Sequence, residues 1–437
     1  MENIWKLKDL PVYTGGELNP TLFDCGSGMA DDFDGPTGEE SWMHIVTKTT
    51  EAEFLSYCAV LEENGFEKSF ENRDDAGVYF QFRKTKNVYA YYVFNERTAR
   101  IIEDGSGVLV ADFAEEAGPS VHDDTALMQF GLLYGDMIRG YTSDCGMLYA
   151  IRLRDNRVII VDGGSSEQST EPATDEFMAR LSDLTGNPEK ITVAAWFCTH
   201  PHGDHMAFFC RMLRKFGSRL FVERAMFNFA TTELVMPGLK SRLALSGRKF
   251  PNIRALTMER IKENNPNVKF LKLHAGQKFD LCGAEAEVLL THEDMHTRWK
   301  DKVYWGMNET STILKLSFEG KSVIFLGDAW IPNGNVLIGR YPFGSVECDF
   351  LQVAHHCIDH VENFYEFIKT EYMLVPEGRY LLLKFISENF QNLTRFCPYD
   401  KIFVSGDATT VFRVAKGRQT EKEFYPVRGC PCDGSEL

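Results

Sequence analysis

The sequence predicts an α/β (α+β) protein in which helices cover β-sheets, and two features of the chain support this fold class. From about residue 125, strand-like runs alternate with helix-like runs such as residues 171–184. Several strand-like runs, among them residues 191–198, are apolar throughout, which is typical of strands buried on both faces. Such strands need helices or a second sheet on each side.

The length of the chain predicts two domains, because 437 residues exceed a typical single domain. Residues 50–65 have apolar side chains at helical spacing, and three strand-like runs follow at 78–82, 88–94 and 99–103. We therefore expect an accessory α+β domain over 1–120, with no residues suited to chemistry, and a second domain over 121–437.

Composition limits the classes of partner. A formal net charge of −16 argues against an extended nucleic-acid surface, but it is compatible with a small or short phosphorylated substrate.

No run of about 18 apolar residues predicts a membrane span, and the first residues do not resemble an export signal. Eleven scattered cysteines, of which only Cys430 and Cys432 are close neighbours, are typical of a cytoplasmic protein with reduced thiols. Nothing in the sequence indicates an oligomeric state.

The residues most suited to chemistry lie in the run Thr199-His200-Pro201-His202-Gly203-Asp204-His205. Four potential metal ligands fall within six residues, in a predicted loop directly after an apolar strand. Imidazole and carboxylate ligands together suit Zn²⁺, Fe²⁺ or Mn²⁺ better than Ca²⁺ or Mg²⁺. The run therefore predicts a transition-metal site, and we expect a helix to begin only after it, near Met206.

This His-x-His-x-Asp-His run resembles the hallmark of the metallo-β-lactamase superfamily. One segment before the run and two segments after it also resemble segments of that family, and they occur in the family's order along the chain. They are the strand and turn ending in Asp162-Gly163-Gly164, the strand ending in Gly327-Asp328, and the strand ending in His355-His356. The resemblance implies an αββα sandwich. It also implies that Asp162 holds the ligand loop by hydrogen bonds and that Asp328 bridges two metal ions.

Within the superfamily, Asn308-Glu309-Thr310-Ser311 resembles the DNA-uptake (competence) protein and phosphorylcholine esterase-like branch. The chain departs from that branch at Cys357, where a glycine usually follows the two histidines. The family's usual metal-site histidine between the motif and Asp328 has no clear match. His274, His292, His296, Asp294 and His360 stay open as its replacement, and the sequence does not decide whether His355 or His356 is a ligand.

The resemblance implies a hydrolase with two divalent metal ions, Zn²⁺ first and Mn²⁺ or Fe²⁺ as alternatives. The implied metal ligands are His200, His202, Asp204, His205, Asp328 and one of the pair His355 and His356, with Asp204 and Asp328 also catalytic. A metal-bridged hydroxide would attack a phosphoester, because coordination lowers the pKa of bound water toward about 7. Two alternatives stay open: an iron-dependent redox enzyme on the same fold, and a non-catalytic metal-binding module.

Overall fold

The structure is a computed structural model, and it describes residues 5–26, 41–105, 108–131, 146–165, 171–230, 261–263, 265–297, 306–359, 361–384 and 386–427. Its helices are α1 (Glu51–Glu63), α2 (Val110–Phe113), α3 (Glu171–Thr185), α4 (Gly203–Phe216), α5 (Ile331–Arg340), α6 (Glu362–Phe367), α7 (Arg379–Lys384) and α8 (Ser387–Asn392). None of the described helices is long and apolar enough to cross a membrane.

The described strands form three sheets. The first contains β1 (Glu17–Leu18), β2 (Phe23–Asp24), β3 (Trp42–Thr47), β4 (Glu67–Arg73), β5 (Gly77–Arg83), β6 (Asn87–Val93) and β7 (Thr98–Asp104). The second contains β8 (Thr125–Gln129), β9 (Leu148–Arg152), β10 (Val158–Asp162), β11 (Ile191–Phe197), β12 (Leu220–Val222), β13 (Arg224–Phe227), β14 (Lys269–Lys272), β22 (Ala408–Val414) and β23 (Glu421–Pro426). The third contains β15 (Lys278–Leu281), β16 (Ala284–Leu290), β17 (Ile313–Phe318), β18 (Lys321–Phe325), β19 (Glu347–Gln352), β20 (Lys369–Val375) and β21 (Ile402–Val404).

The first sheet is antiparallel and has the strand order β1-β3-β7-β6-β5-β4, with β2 beside β3. Helix α1 begins at a capping box in which Thr50 Oγ1 accepts from Glu53 N and the Glu53 carboxylate accepts from Thr50 N. Its buried Phe54 and Leu61 pack on one face of this sheet. The element predicted over 50–65 is therefore α1, and the three predicted strands correspond to β5, β6 and β7.

The second and third sheets pack face to face and give the αββα sandwich. Alternate residues of β10 explain why this strand is apolar throughout: Ile159 and Val161 enter the core between the two sheets, whereas Val158 and Ile160 face α3 and α4. On the far side of the third sheet, Leu337 of α5 and Phe364 of α6 cover the strands. The predicted fold class is confirmed.

The predicted start of α4 is wrong. The helix begins at Gly203 rather than near Met206, so Asp204 and His205 lie in its first turn and only residues 199–202 form a loop. A carboxylate in the first turn is favourable because the N-terminus of a helix carries partial positive charge. Two short strands that the sequence did not predict, β1 and β2, also occur before the first predicted helix.

Candidate metal centre

The candidate ligands gather where strands of the two packed sheets end. Strand β10 runs parallel to β11, and β18 runs parallel to β19, so each pair delivers its carboxyl ends to the same edge. Asp162 closes β10, and the loop before α4 follows β11. Asp328 follows β18, and His356 follows β19. Residues far apart in the sequence therefore meet at one edge of the sandwich.

Asp162 organises the loop that carries the first histidines. Its Oδ1 accepts a hydrogen bond from Thr199 N at 2.7 Å, and its Oδ2 accepts from Thr199 Oγ1 at 2.9 Å and from His205 Nδ1 at 2.5 Å. The Asp162 side chain is fully buried, and its carbonyl oxygen accepts from Trp196 Nε1 at 3.0 Å. The carboxylate thus fixes both the turn at Thr199 and the ring of His205.

Hydrogen bonds to Nδ1 orient the rings of His200, His205 and His356 so that each Nε2 faces Asp328. The Nδ1 atom of His205 faces Asp162, and Nδ1 of His356 donates to the carbonyl oxygen of Pro376 at 2.8 Å. His200 Nδ1 lies 3.1 Å from Thr199 Oγ1, which accepts because its own proton goes to Asp162. In each neutral ring the lone pair is then on Nε2, which is the atom a metal ligand must offer.

These side chains form two groups, each with ligand atoms within 4.8 Å of one another: Asp204, His205, Asp328 and His356 in one, and His200, His202 and Asp328 in the other. Asp328 is shared. Its Oδ1 lies 3.0 Å from His205 Nε2 and 3.3 Å from His356 Nε2, whereas its Oδ2 lies 3.5 Å from His200 Nε2. This carboxylate is therefore placed to bridge two cations.

The charge of the centre calls for a cation. Asp162, Asp204 and Asp328 lie close together, and among the described residues no lysine or arginine forms an ion pair with them. Burial lowers the pKa of His205, but the carboxylates of Asp328, Asp162 and Asp204 outweigh it and raise this pKa to about 10. Asp328 Oδ1 is buried, and His205 Nε2 at 3.0 Å and His356 Nε2 at 3.3 Å lie beside it. The residues present fit a pair of divalent metal ions.

The two adjacent histidines have different surroundings. His356 belongs to a ligand group, whereas His355 belongs to neither: its Nε2 is 3.8 Å from Asp328 Oδ2 and 2.8 Å from Asn308 Nδ2. His355 Nδ1 forms a close hydrogen bond with Asp359 Oδ2. The geometry thus places His356, and not His355, among the residues that could hold a metal ion, and His355 lies half-buried beside the shared carboxylate.

The backbone around these histidines is unusual. His355, His356 and Cys357 have φ values of 44°, 53° and 66°, so three consecutive residues other than glycine occupy the left-handed region. Cys357, which stands where the resemblance led us to expect glycine, adopts torsions that glycine would favour. Conformations of this kind cost free energy and persist only where the surroundings impose them.

The other residues that the sequence left open lie outside both groups. His274 pairs with Glu293, His292 Nε2 lies 3.0 Å from Asn228 Oδ1, and Asp294 pairs with Arg340. His296 packs on the ring of Phe23. His360, Cys430 and Cys432 lie outside the described residues.

Thr199, Pro376 and Asp359 support the histidines but were not predicted. Thr199 directly precedes the motif, and Asp359 follows His355 by four residues. Both are close in sequence to the histidines they contact, so the sequence alone could have indicated them. The contribution of Pro376 is a backbone carbonyl, for which the sequence has no signal.

Residues 146–359 match the sequence profile of the metallo-beta-lactamase superfamily. This part of the chain is therefore a metallo-β-lactamase superfamily domain, and the match contains every residue of both groups. No curated protein matches the chain.

The solved structures that are similar to this chain include three with low sequence identity to it. The metallo-beta-lactamase fold protein YhfI from Bacillus subtilis has 11% identity and a TM-score of 0.33, over 69% of this chain and 100% of that one. Zn²⁺-bound PqqB from Methylobacterium extorquens has 9% identity and a TM-score of 0.35, over 68% and 99%. CmlA, a diiron β-hydroxylase from Streptomyces venezuelae, has 16% identity and a TM-score of 0.28, over 54% and 35%.

Proposed function

We propose that this protein is a metal-dependent hydrolase that cleaves a phosphoester in a small or short phosphorylated substrate. The observation that carries the proposal is the shared carboxylate of Asp328, which lies between two sets of ligand atoms. His200, His202 and Asp328 would hold one ion, and Asp204, His205, Asp328 and His356 the other. When bound, two divalent ions supply an activated hydroxide and neutralise charge on the attacked group.

The protein's own residues prepare this site. Asp162 holds His205 and Thr199, and Pro376 holds His356, so the ligand rings keep one tautomer and one orientation. His202 and Asp204 are half-buried, whereas His200 and His205 are fully buried. Substrate therefore approaches from the side of His202 and Asp204, and the deeper ligands stay shielded from water.

We assign His355 to substrate contact rather than to metal binding. Its side chain and that of Asp359 keep 20% and 23% of their exposure, and the ring lies next to Asp328 without joining either ligand group. The pairing with Asp359 and Asn308 fixes the ring plane. A substrate group at the centre would lie against this ring.

The choice of a phosphoester rests on the resemblance of Asn308–Ser311 and His355-His356 to the competence protein and phosphorylcholine esterase-like branch. The strongly acidic chain is consistent with a short substrate rather than a long polyanion. We place the reaction in a reducing compartment such as the cytoplasm, because buried cysteines such as Cys25, Cys58 and Cys198 are free thiols.

The test combines elemental analysis with a substrate panel. Stripped protein is reloaded with Zn²⁺, Mn²⁺ or Fe²⁺ and assayed on p-nitrophenyl esters of phosphate, a phosphodiester and phosphorylcholine, with a thioester as the alternative. Hydrolysis of at least one phosphoester by the loaded protein, and not by the stripped protein, is expected. Full metal loading without hydrolysis of any phosphoester would overturn the proposal. If elemental analysis of the purified protein, before stripping, then showed iron, the redox alternative would be favoured.

A further inference from the structure

The two ligand groups are unequal, and this inequality points to a further ligand. The group of Asp204, His205, Asp328 and His356 offers four side chains, but the group of His200, His202 and Asp328 offers three. Transition-metal ions in proteins commonly take four or more ligands, supplied by protein and water. Such a ligand rests on the metal centre of the proposed function, but its role is in metal binding and not in hydrolysis.

Asn308 lies in a segment that is fixed against the three-residue group. This segment is a short 3-10 turn, Asn308–Thr310, followed by β17. Ser311 Oγ accepts from Asp328 N at 3.1 Å, and Thr312 N donates to Thr199 O at 2.9 Å. The turn is therefore held between the residue that precedes His200 and the backbone of Asp328.

The neighbours of Asn308 determine how its carboxamide is oriented. His355 Nδ1 forms a close hydrogen bond with Asp359 Oδ2, and Nε2 of the same ring faces Asn308. The atom of Asn308 that lies 2.8 Å from this Nε2 is the amide nitrogen. The amide oxygen points elsewhere, and it is buried without any hydrogen-bond partner.

A buried carbonyl oxygen without a partner is unfavourable, since it has given up water and gained nothing. The surroundings of this oxygen indicate that the missing partner is a divalent cation. His355 Nε2, which binds the Asn308 amide, lies 3.8 Å from Asp328 Oδ2, and that same oxygen lies 3.5 Å from His200 Nε2. Carboxamide oxygens bind divalent cations, and the residue that carries this one lies near a group with three candidate ligands.

We infer that the side-chain oxygen of Asn308 is the fourth protein ligand of the ion held by His200, His202 and Asp328. This ion would then have one carboxylate and one neutral amide, whereas the other ion has two carboxylates. The position that includes Asn308 is consequently the weaker of the two, because it offers less negative charge. Metal ions should fill the centre in two steps.

The experiment titrates stripped protein with Co²⁺ alone, following visible absorption and bound metal by elemental analysis. Asn308→Ala should weaken the second step by at least about tenfold, as expected for loss of one ligand, and change its absorption, while the first step stays. Asn308→Asp restores an oxygen at the same place and should recover the second step. Asn228→Ala is the matched control, because Asn228 is a buried carboxamide outside both ligand groups.

Retention of the first step in Asn308→Ala also shows that the variant is folded. Two results would overturn the inference: identical titrations and spectra for Asn308→Ala and the wild type, or a wild-type protein in which the second step never occurs. Neither result depends on a substrate. Failure of the hydrolase proposal, with metal binding as described, would leave the assignment of Asn308 standing.

Discussion

Two buried groups of charged residues in this protein differ in how their charges are balanced. In the metal centre, the carboxylates of Asp162, Asp204 and Asp328 lie among histidines. In a second group, which we call the interface cluster, Glu96 of the turn between β6 and β7 and Arg100 of β7 meet Asp294 and Arg340, the last residue of α5. Arg340 binds Glu96 at 2.9 Å and Asp294 at 2.8 Å, and Arg100 binds Glu96 at 3.0 Å. Two carboxylates there face two guanidinium groups.

A similar balance holds next to the interface cluster. Lys272 and His274 lie against Glu293, at 3.3 Å and 2.7 Å, and His274 is also 3.5 Å from Asp104 of the first sheet. Burial lowers the pKa of His274, but the carboxylates of Glu293 and Asp104 outweigh it and raise this pKa to about 9. The histidine is therefore charged at neutral pH, and again two positive groups face two negative ones.

This difference separates structural histidines from metal ligands. Burial alone does not distinguish them, because His274 and His205 are both fully buried beside carboxylates. The charges around His274 are balanced by protein groups, whereas those around His205 leave an excess of carboxylate that only a proton or a cation can offset. The predictions below test this contrast, from the largest expected effect to the smallest.

The interface cluster should matter for stability and not for metal binding. Arg340→Met leaves the buried carboxylate of Asp294 and the half-buried carboxylate of Glu96 without their shared partner, and breaking a buried pair costs about 3–5 kcal/mol. Denaturant unfolding measures this loss, and metal stoichiometry should be unchanged. Arg395→Met is the control, since Arg395 is exposed and its change should be within about 0.5 kcal/mol. Equal effects of the two variants would contradict the role given to the cluster.

The metal centre should matter for activity more than for folding. Asp328→Asn keeps the shape of the side chain but removes the charge shared by both ligand groups, so metal occupancy should fall at one position or both. We expect circular dichroism close to that of the wild type and hydrolysis reduced by at least about 10². Asp407→Asn, after β21, should do much less. Full activity and full metal in Asp328→Asn would show that this residue is not the bridge.

His274 should make stability depend on pH. Its folded-state pKa of about 9 lies above the unfolded value of about 6.5, so its contribution is fully present below pH 6.5 and is lost as pH rises through 9. The free energy of unfolding should fall over this range by about 1–3 kcal/mol more in the wild type than in His274→Gln. Comparing the two proteins cancels other groups that titrate there. A difference that stays constant from pH 6.5 to 9 would contradict a charged His274.

The smallest effect is expected at Cys357. Cys357→Gly relieves a left-handed conformation at φ 66° but removes a buried thiol, so the two contributions oppose each other. The free energy of unfolding should change by less than about 1 kcal/mol, and metal stoichiometry should stay the same. Loss of metal in this variant would mean that the thiol itself takes part in the centre.

The sequence predicted the fold class and brought forward the ligands that lie in one motif, because a run such as His200 to His205 needs no tertiary information. It could not choose between His355 and His356, since that choice depends on backbone torsions and on the carbonyl of Pro376. The predicted start of α4 was too late because Asp204 and His205 are polar and follow a glycine, a pattern that is typical of a loop, although they lie in the first turn of the helix. The domain boundary near residue 120 stays a prediction, and buried ion pairs join the residues on its two sides.

The measurement that most directly tests the account is the number of metal ions bound per chain. Stripped wild-type protein is titrated with Zn²⁺, Mn²⁺ and Fe²⁺ and counted by elemental analysis, beside His356→Ala and His292→Ala. We expect close to two ions in the wild type and in His292→Ala, and no more than one tightly bound ion in His356→Ala. A wild-type stoichiometry that never exceeds one, or the same loss in both variants, would contradict the two-ion centre built around Asp328.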